Sequence, residues 1–170
     1  MSEKIWKADI SNIHNGIVID EKIPERILKK GLTLARAKHK IPRKISGISV
    51  IFTDDKEIKK FNKNYRGKNK ATDVLSFSQL EGEVDKSVIS DSLGDIMISL
   101  DTAIKQAKEN DLTTEQEVLR LLIHGMLHLL GYEHVNVSED IVKEMQQWED
   151  FLFLKLKSSW RKNWISPKKF

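Results

Sequence analysis

The sequence predicts a single α+β domain built on a small mixed β-sheet, and three observations predict it. Its 170 residues suit one domain with its own core. Hydrophobic residues make up 39% and charged residues 32%, the balance of a globular chain with a well-solvated surface. Strand-like and helical stretches are interspersed without a regular βαβ alternation, and no internal repeat or interdomain linker breaks the chain. No run approaches the length of a membrane span. The first residues, MSEKIWKADI, have neither the apolar segment nor the cleavage site of an export signal, so a cytoplasmic location is expected. The chain has no cysteine, which leaves histidine and carboxylate as possible metal ligands.

Residues 5–19 hold short apolar runs, among them Ile17-Val18-Ile19, that suit a first strand. Pro24 fits the first turn of a helix with Ile27, Leu28, Leu34 and Ala35 on its apolar side; Gly31 weakens it, and Ile41-Pro42 ends it. Residues 45–52 read as a strand, with Ile48, Val50 and Phe52 on one face. Asp54, with Glu57 three residues on, resembles a capping pair opening a short helix through Ile58, Phe61 and Tyr65. Residues 66–70 read as a polar loop and 73–77 as a strand. A flexible polar excursion over 81–92 leads to a last strand at 93–99, with Asp95 at its start.

Asp101 is placed to cap a helix reaching about Asn110, and Thr114 with Glu117 forms a capping box for the next one. That helix carries Val118, Leu119, Leu122, Ile123, Met126, Leu127 and Leu130 around most of its circumference, which predicts burial. Glu117, Leu121, His124 and His128 form its remaining stripe. Asn136 or Ser138 caps a final helix, with Ile141, Met145, Trp148 and Leu152 at helical spacing.

The net charge is +4, but its distribution is uneven. Residues 155–170 hold Lys155, Lys157, Arg161, Lys162, Lys168 and Lys169 and no acid, leaving 23 basic against 25 acidic residues in 1–154. The sequence therefore divides into a body, 1–154, and a basic C-terminal tail, 155–170, whose Trp160, Trp164 and Phe170 are interleaved with cations. Such a tail suits an RNA or ribosome tether. A disordered solubilising tail and an amphipathic segment docked on the body by its tryptophans are the alternatives.

Three of the five histidines fall within eleven residues, His124-Gly-Met-Leu-His128-Leu-Leu-Gly131-Tyr-Glu-His134. His124 and His128 share one helix face, and Gly131 stands where a helix takes a left-handed residue to stop. The reversed chain can then bring His134 beside the other two. Three imidazoles leave a fourth tetrahedral position open, as in catalytic zinc sites, where bound water titrates near ~7. Iron, nickel and copper also accept imidazole, so zinc is the favoured metal among several.

The spacing also matches the metzincin proteases, with one departure. The glutamate that serves those enzymes as general base is replaced by Gly125. Upstream, Arg66 can hold a phosphate through two hydrogen bonds, with Lys68 and Lys70 adding positive field, or all three can be a solvated turn.

The stretch HGMLHLLGYEH resembles the signature of the YbeY family, bacterial metal-dependent endoribonucleases of ribosomal RNA maturation. NYRGKNKATDVLSF, residues 64–77, and LGDI, residues 93–96, are similar to the family in the same order, so the resemblance runs from about Ile48 to about Asp150. It implies an α+β fold and one zinc ion per chain on His124, His128 and His134. It implies a single-strand endoribonuclease that matures the 3′ end of 16S ribosomal RNA in ribosome biogenesis, with ribosomal RNA and the small ribosomal subunit as partners. It also implicates Arg66 in activity and adds little for Lys68 and Lys70.

Asp73 is expected to order the loop, and Asp95 to orient a metal-bound histidine, unless they are a turn-former and a strand-end cap. Ser76 joins them as a candidate for supporting the metal or touching RNA. Glu133, where the family often has aspartate, is a candidate base or support for His134. A metzincin-like metalloprotease and a non-catalytic, zinc-stabilised ribosome assembly factor are the rival functions.

Overall fold

Alternating apolar residues make the sheet. In β3 (Gly47–Thr53), Ile48, Val50 and Phe52 point to one side and are buried. A computed structural model describes residues 5–39, 41–42, 44–80, 91–133, 136–160 and 162–169. Strand β3 pairs in parallel with β1 (Lys7–Asn12) on one side and β5 (Ser92–Ser99) on the other. Strand β4 (Val74–Ser78) pairs antiparallel with β5, so the order is β1-β3-β5-β4 and the sheet is mixed. The predicted α+β class and small mixed sheet are observed, with a second, two-stranded sheet beside it. Residues 5–19, expected to give one strand, give two. Strand β2 (Ile17–Ile19) leaves the main sheet and pairs antiparallel with β6 (Ile165–Pro167).

Helix α1 (Lys22–Arg36) has Pro24 in its first turn and buries Ile27, Leu28, Leu32 and Ala35. Gly31, which counted against the helix, is buried at its contact with another: a β-carbon there would lie 3.2 Å from the Met126 methyl. Helix α2 (Asp55–Arg66) opens on Asp54, whose carboxylate accepts from the Glu57 amide at 2.8 Å. Arg66 is the last residue of this helix and not part of the loop after it.

Two predicted caps sit at the wrong residue. Helix α3 (Leu100–Glu109) is capped by Ser99, which accepts from the Thr102 amide and donates to Asp55 at 2.6 Å. Asp101 instead accepts from the Asp55 amide and meets the His14 ring, each at 3.0 Å. Helix α4 (Thr114–Leu129) has its capping box on Thr113 and Gln116, one residue earlier than expected. Glu117 is unavailable for capping because it is fully buried against Arg120, which donates Nε and a terminal nitrogen to it at 3.2 Å each.

Helix α4 is buried against the sheet, α1 and α5 (Glu139–Leu156), as its all-round apolar sequence predicts. Ser138 stands at the α5 N-cap without a side-chain capping bond. Ile141, counted on that helix's apolar stripe, is exposed, whereas Met145, Leu152 and Leu156 are buried. The excursion expected over 81–92 falls mostly at residues 81–90, outside the described residues, and Ser92 already belongs to β5.

The idea of a tail separate from the body after 154 needs correction. Leu156 and Trp164 are 1% and 5% exposed, and β6 is hydrogen-bonded to β2. Apolar side chains in this basic segment gain more from burial than an extended tether would allow. No helix among the described residues is long and apolar enough to cross a membrane.

Candidate metal centre

The site begins at the end of α4. The Gly131 amide bonds the His128 carbonyl at 2.9 Å, and the Tyr132 amide bonds the Leu127 carbonyl at 3.1 Å. This is a Schellman stop, and it needs the positive φ of 94° that Gly131 adopts. The chain turns back where the spacing said it would. His134, the third predicted ligand, lies outside the described residues.

His124 and His128 are half-buried on one face, their rings 4.5 Å apart at the centroids and steeply inclined. Their Nε2 atoms converge to 3.0 Å. Two nitrogens on one tetrahedral zinc ion lie about 3.3 Å apart, so this pair is close to the ligand separation. Behind them, the Glu149 carboxylate of α5 lies 2.6 Å from His124 Nδ1. A proton on Nδ1 shared with this carboxylate leaves the Nε2 lone pair facing His128, the tautomer that a metal ligand requires. Donor type, separation and tautomer all fit a divalent ion.

Glu149 was missed in the sequence. Its signal is an acid between Met145 and Leu152 on the inward stripe of α5, where a carboxylate needs a partner. Arg120 was missed too. Its guanidinium, half exposed one turn before His124, is held protonated first by its hydrogen bonds to Glu117, then by the nearby charges of Glu117, Glu149 and Asp73.

Gly125 is where α4 meets the sheet. A β-carbon there would lie 2.9 Å from Ile96 Cγ2, 3.1 Å from Ile96 Cδ1 and 3.2 Å from Ser76 Oγ. A glutamate cannot occupy this position without displacing the Ile96 side chain beneath. The missing protease base is thus a packing requirement as well as a sequence difference.

The remaining candidates separate. Ser76 faces α4 beneath Gly125. Asp73 orders the start of β4: it accepts from the Val74 amide at 2.8 Å, from Thr72, and from Gln106 at 3.1 Å. Asp95 does not face the histidines. It lies inside β5, and since its neighbour Ile96 points at α4, Asp95 points to the opposite face, lining a cavity with Phe61, Tyr65 and Phe77. Alternation along the strand is what turns its side chain toward α2. Arg66, Lys68 and Lys70 are exposed, as is Glu133, and the loop is pinned from behind by Asn62, which donates to the Lys70 carbonyl at 2.8 Å.

The comparisons with known proteins agree with one another. A family model described as Endoribonuclease YbeY matches residues 9–157. A protein of that name from Syntrophus aciditrophicus (strain SB) is 40% identical over 147 residues, covering 86% of this chain and 88% of that protein. Another, from Persephonella marina (strain DSM 14350 / EX-H1), is 40% identical over 148 residues, covering 85% and 94%. The solution structure of TM1509 from Thermotoga maritima matches with a TM-score of 0.56 and 26% identity, over 89% of this chain and 92% of that one.

Proposed function

This chain belongs to the Endoribonuclease YbeY family, and from that premise we propose that it cuts single-stranded RNA with the help of one zinc ion per chain held by His124, His128 and His134. RNA cleavage is the activity of the family. The metal, the substrate and the step are our reading. The observation that carries it is the convergence of His124 and His128 Nε2 at 3.0 Å, with Glu149 fixing the tautomer of His124.

When bound, the ion supplies Lewis acidity and a sink for the negative charge that builds up as a phosphodiester is displaced. His124 is held by Glu149 in the orientation that presents its lone pair. Arg66 grips a non-bridging phosphate oxygen of the strand and places the scissile bond, strengthening its hold as charge develops. Ser76, Glu133, Lys68 and Lys70 remain candidates for touching RNA or supporting the ligands. The proposed substrate is the 3′ end of 16S ribosomal RNA on the small ribosomal subunit, in the cytoplasm. Support for an RNA substrate comes from the family's name.

The test has two parts. Zinc analysis of purified protein should find one ion per chain, and His128→Ala should lose most of it; full occupancy in that variant, or in the triple-alanine variant, overturns the ligand set. The protein should then cleave unpaired RNA in a chelator-sensitive way and leave casein intact. Digestion of casein with RNA untouched would replace this reading with a protease. Binding to ribosomes without cleavage of either would favour an assembly factor.

A further inference from the structure

Helix α1 carries a cationic stripe on its solvent side. Lys22, Arg26 and Lys30 recur at four-residue spacing, about 6 Å apart along the helix axis, a repeat close to that of successive phosphates along a strand. They border a groove of about 990 Å³ whose floor includes Trp6, with the Arg36 guanidinium 4.0 Å above its ring. Glu25 lines the same groove but is engaged by Lys29. Among the described residues, Lys22 and Arg26 have no carboxylate partner.

The C-terminal segment docks beside this groove. Lys30 Nζ donates to the Lys155 carbonyl and to Ser159 Oγ, each at 3.3 Å. The Asp20 amide donates to the Trp164 carbonyl at 2.9 Å, and β6 pairs with β2 immediately before α1. Lys155 and Lys157, both exposed, are thereby held beside Lys30, and the exposed Lys162, Lys168 and Lys169 belong to the segment that β6 ties to the body. The face is distinct from the histidine site. Helix α1 meets α4 at Met126, about 200° round the helix from His124.

We propose that this groove and the docked segment form a second RNA-binding surface, which holds the phosphate backbone of the substrate away from the cleaved bond. The inference rests on the reading of the chain as an endoribonuclease. Charge selects the partner: a row of cations at helical repeat, with no carboxylate on Lys22 or Arg26 among the described residues, suits a polyanion with regularly spaced charge better than an acidic protein patch. Because groove and histidines lie on different sides of α4, only an RNA long enough to pass round the body engages both. A short oligonucleotide reaches the histidines alone.

The experiment uses the full chain and two variants, Lys22→Gln/Arg26→Gln and Lys157→Gln/Lys162→Gln, on surface positions outside the site. Binding is read by fluorescence anisotropy and cleavage separately, with a long unpaired RNA and a short oligonucleotide. For the long RNA, each variant should weaken binding and raise KM roughly tenfold at 0.15 M salt, with kcat unchanged. The log–log salt slope should flatten by about 1.4 for two lost contacts. The short oligonucleotide should be unaffected. Unchanged affinity and slope for the long RNA overturn the proposal, as does an equal loss for the short one. Weaker binding of polyglutamate with RNA binding unchanged would assign the face to an acidic protein instead. If the wild type binds the long RNA but cuts nothing, the nuclease reading fails while the binding comparison still decides this surface.

Discussion

Helices α4 and α2 carry the two halves of the proposed site, and they lie on opposite faces of one sheet. Below α4 is the large core, from Trp6 through Ile48, Ile96 and Leu122 to Trp164. Below α2 is a smaller cluster whose buried members, among the described residues, are Ile58, Leu75 and Met97. The histidines therefore stand on an element that cannot shift without disturbing the main core, and Arg66 ends a helix with a thin footing. Metal coordination tolerates errors of a few tenths of an ångström, whereas a guanidinium on a mobile strand must follow its phosphate. The thicker packing lies under the group that needs the greater accuracy.

This contrast can be tested directly, and the largest effect should come from the α4 side. Gly125→Glu forces side-chain atoms into Ile96 and Ser76 and buries a charge, so it should cost more than about 3 kcal/mol in urea denaturation and create no peptidase. Lys63→Glu, at an exposed position of α2, should stay within about 0.5 kcal/mol. Equal costs would remove the asymmetry. Next, Arg66→Ala should lower kcat for RNA about 10²-fold while zinc content and stability remain near wild type. Unchanged single-turnover cleavage would return Arg66 to a solvated helix end.

Glu149→Gln sharpens the comparison from the metal side. The amide cannot hold the His124 tautomer as the carboxylate does, so zinc affinity should fall about 10- to 100-fold with little change in fold. Competition with a chelator measures it, and an unchanged affinity would leave Glu149 without its role.

The smallest effect concerns His39, packed on Tyr132 and Trp148 beside the large core. Burial lowers its pKa first, and neighbouring Lys38 lowers it further. A depressed folded pKa contributes stability that is present above the unfolded value near 6.5 and is lost as pH falls through the folded value. His39→Phe keeps the ring contacts, so the drop in urea midpoint between neutral and mildly acidic pH should be smaller in the variant than in wild type. An identical drop would show that other groups carry it.

Much of this arrangement could be read from residue order, because local rules govern it. Alternation placed β3, and the Gly131 stop placed the histidine turn. Caps were less legible: several hydroxyls and carboxylates in a row can each serve. The choice of Ser99 over Asp101 was settled by a partner distant in sequence, Asp55, and that of Thr113 over Thr114 by the burial of Glu117 against Arg120. The same limit hid Glu149, whose meaning depends on which helix α5 crosses. Asp95 failed for a different reason. Nothing in LGDI says which face of the sheet α4 will cover. In the C-terminal segment, composition suggested a free tether because it counts charges, while Trp164 and Leu156 decided its place.

The pairing of β2 with β6 sets an order of events during synthesis. Val18 finds its partner only in Ser166, so an early segment of the chain stays unpaired until nearly everything after it has been made. At ordinary elongation rates that wait is roughly 10–30 s. Helix α4 and the strands beneath it are complete well before then. The nascent protein can thus acquire its histidine turn while the C-terminal half of the proposed cationic face is still missing, so that face is complete only once the last strand closes.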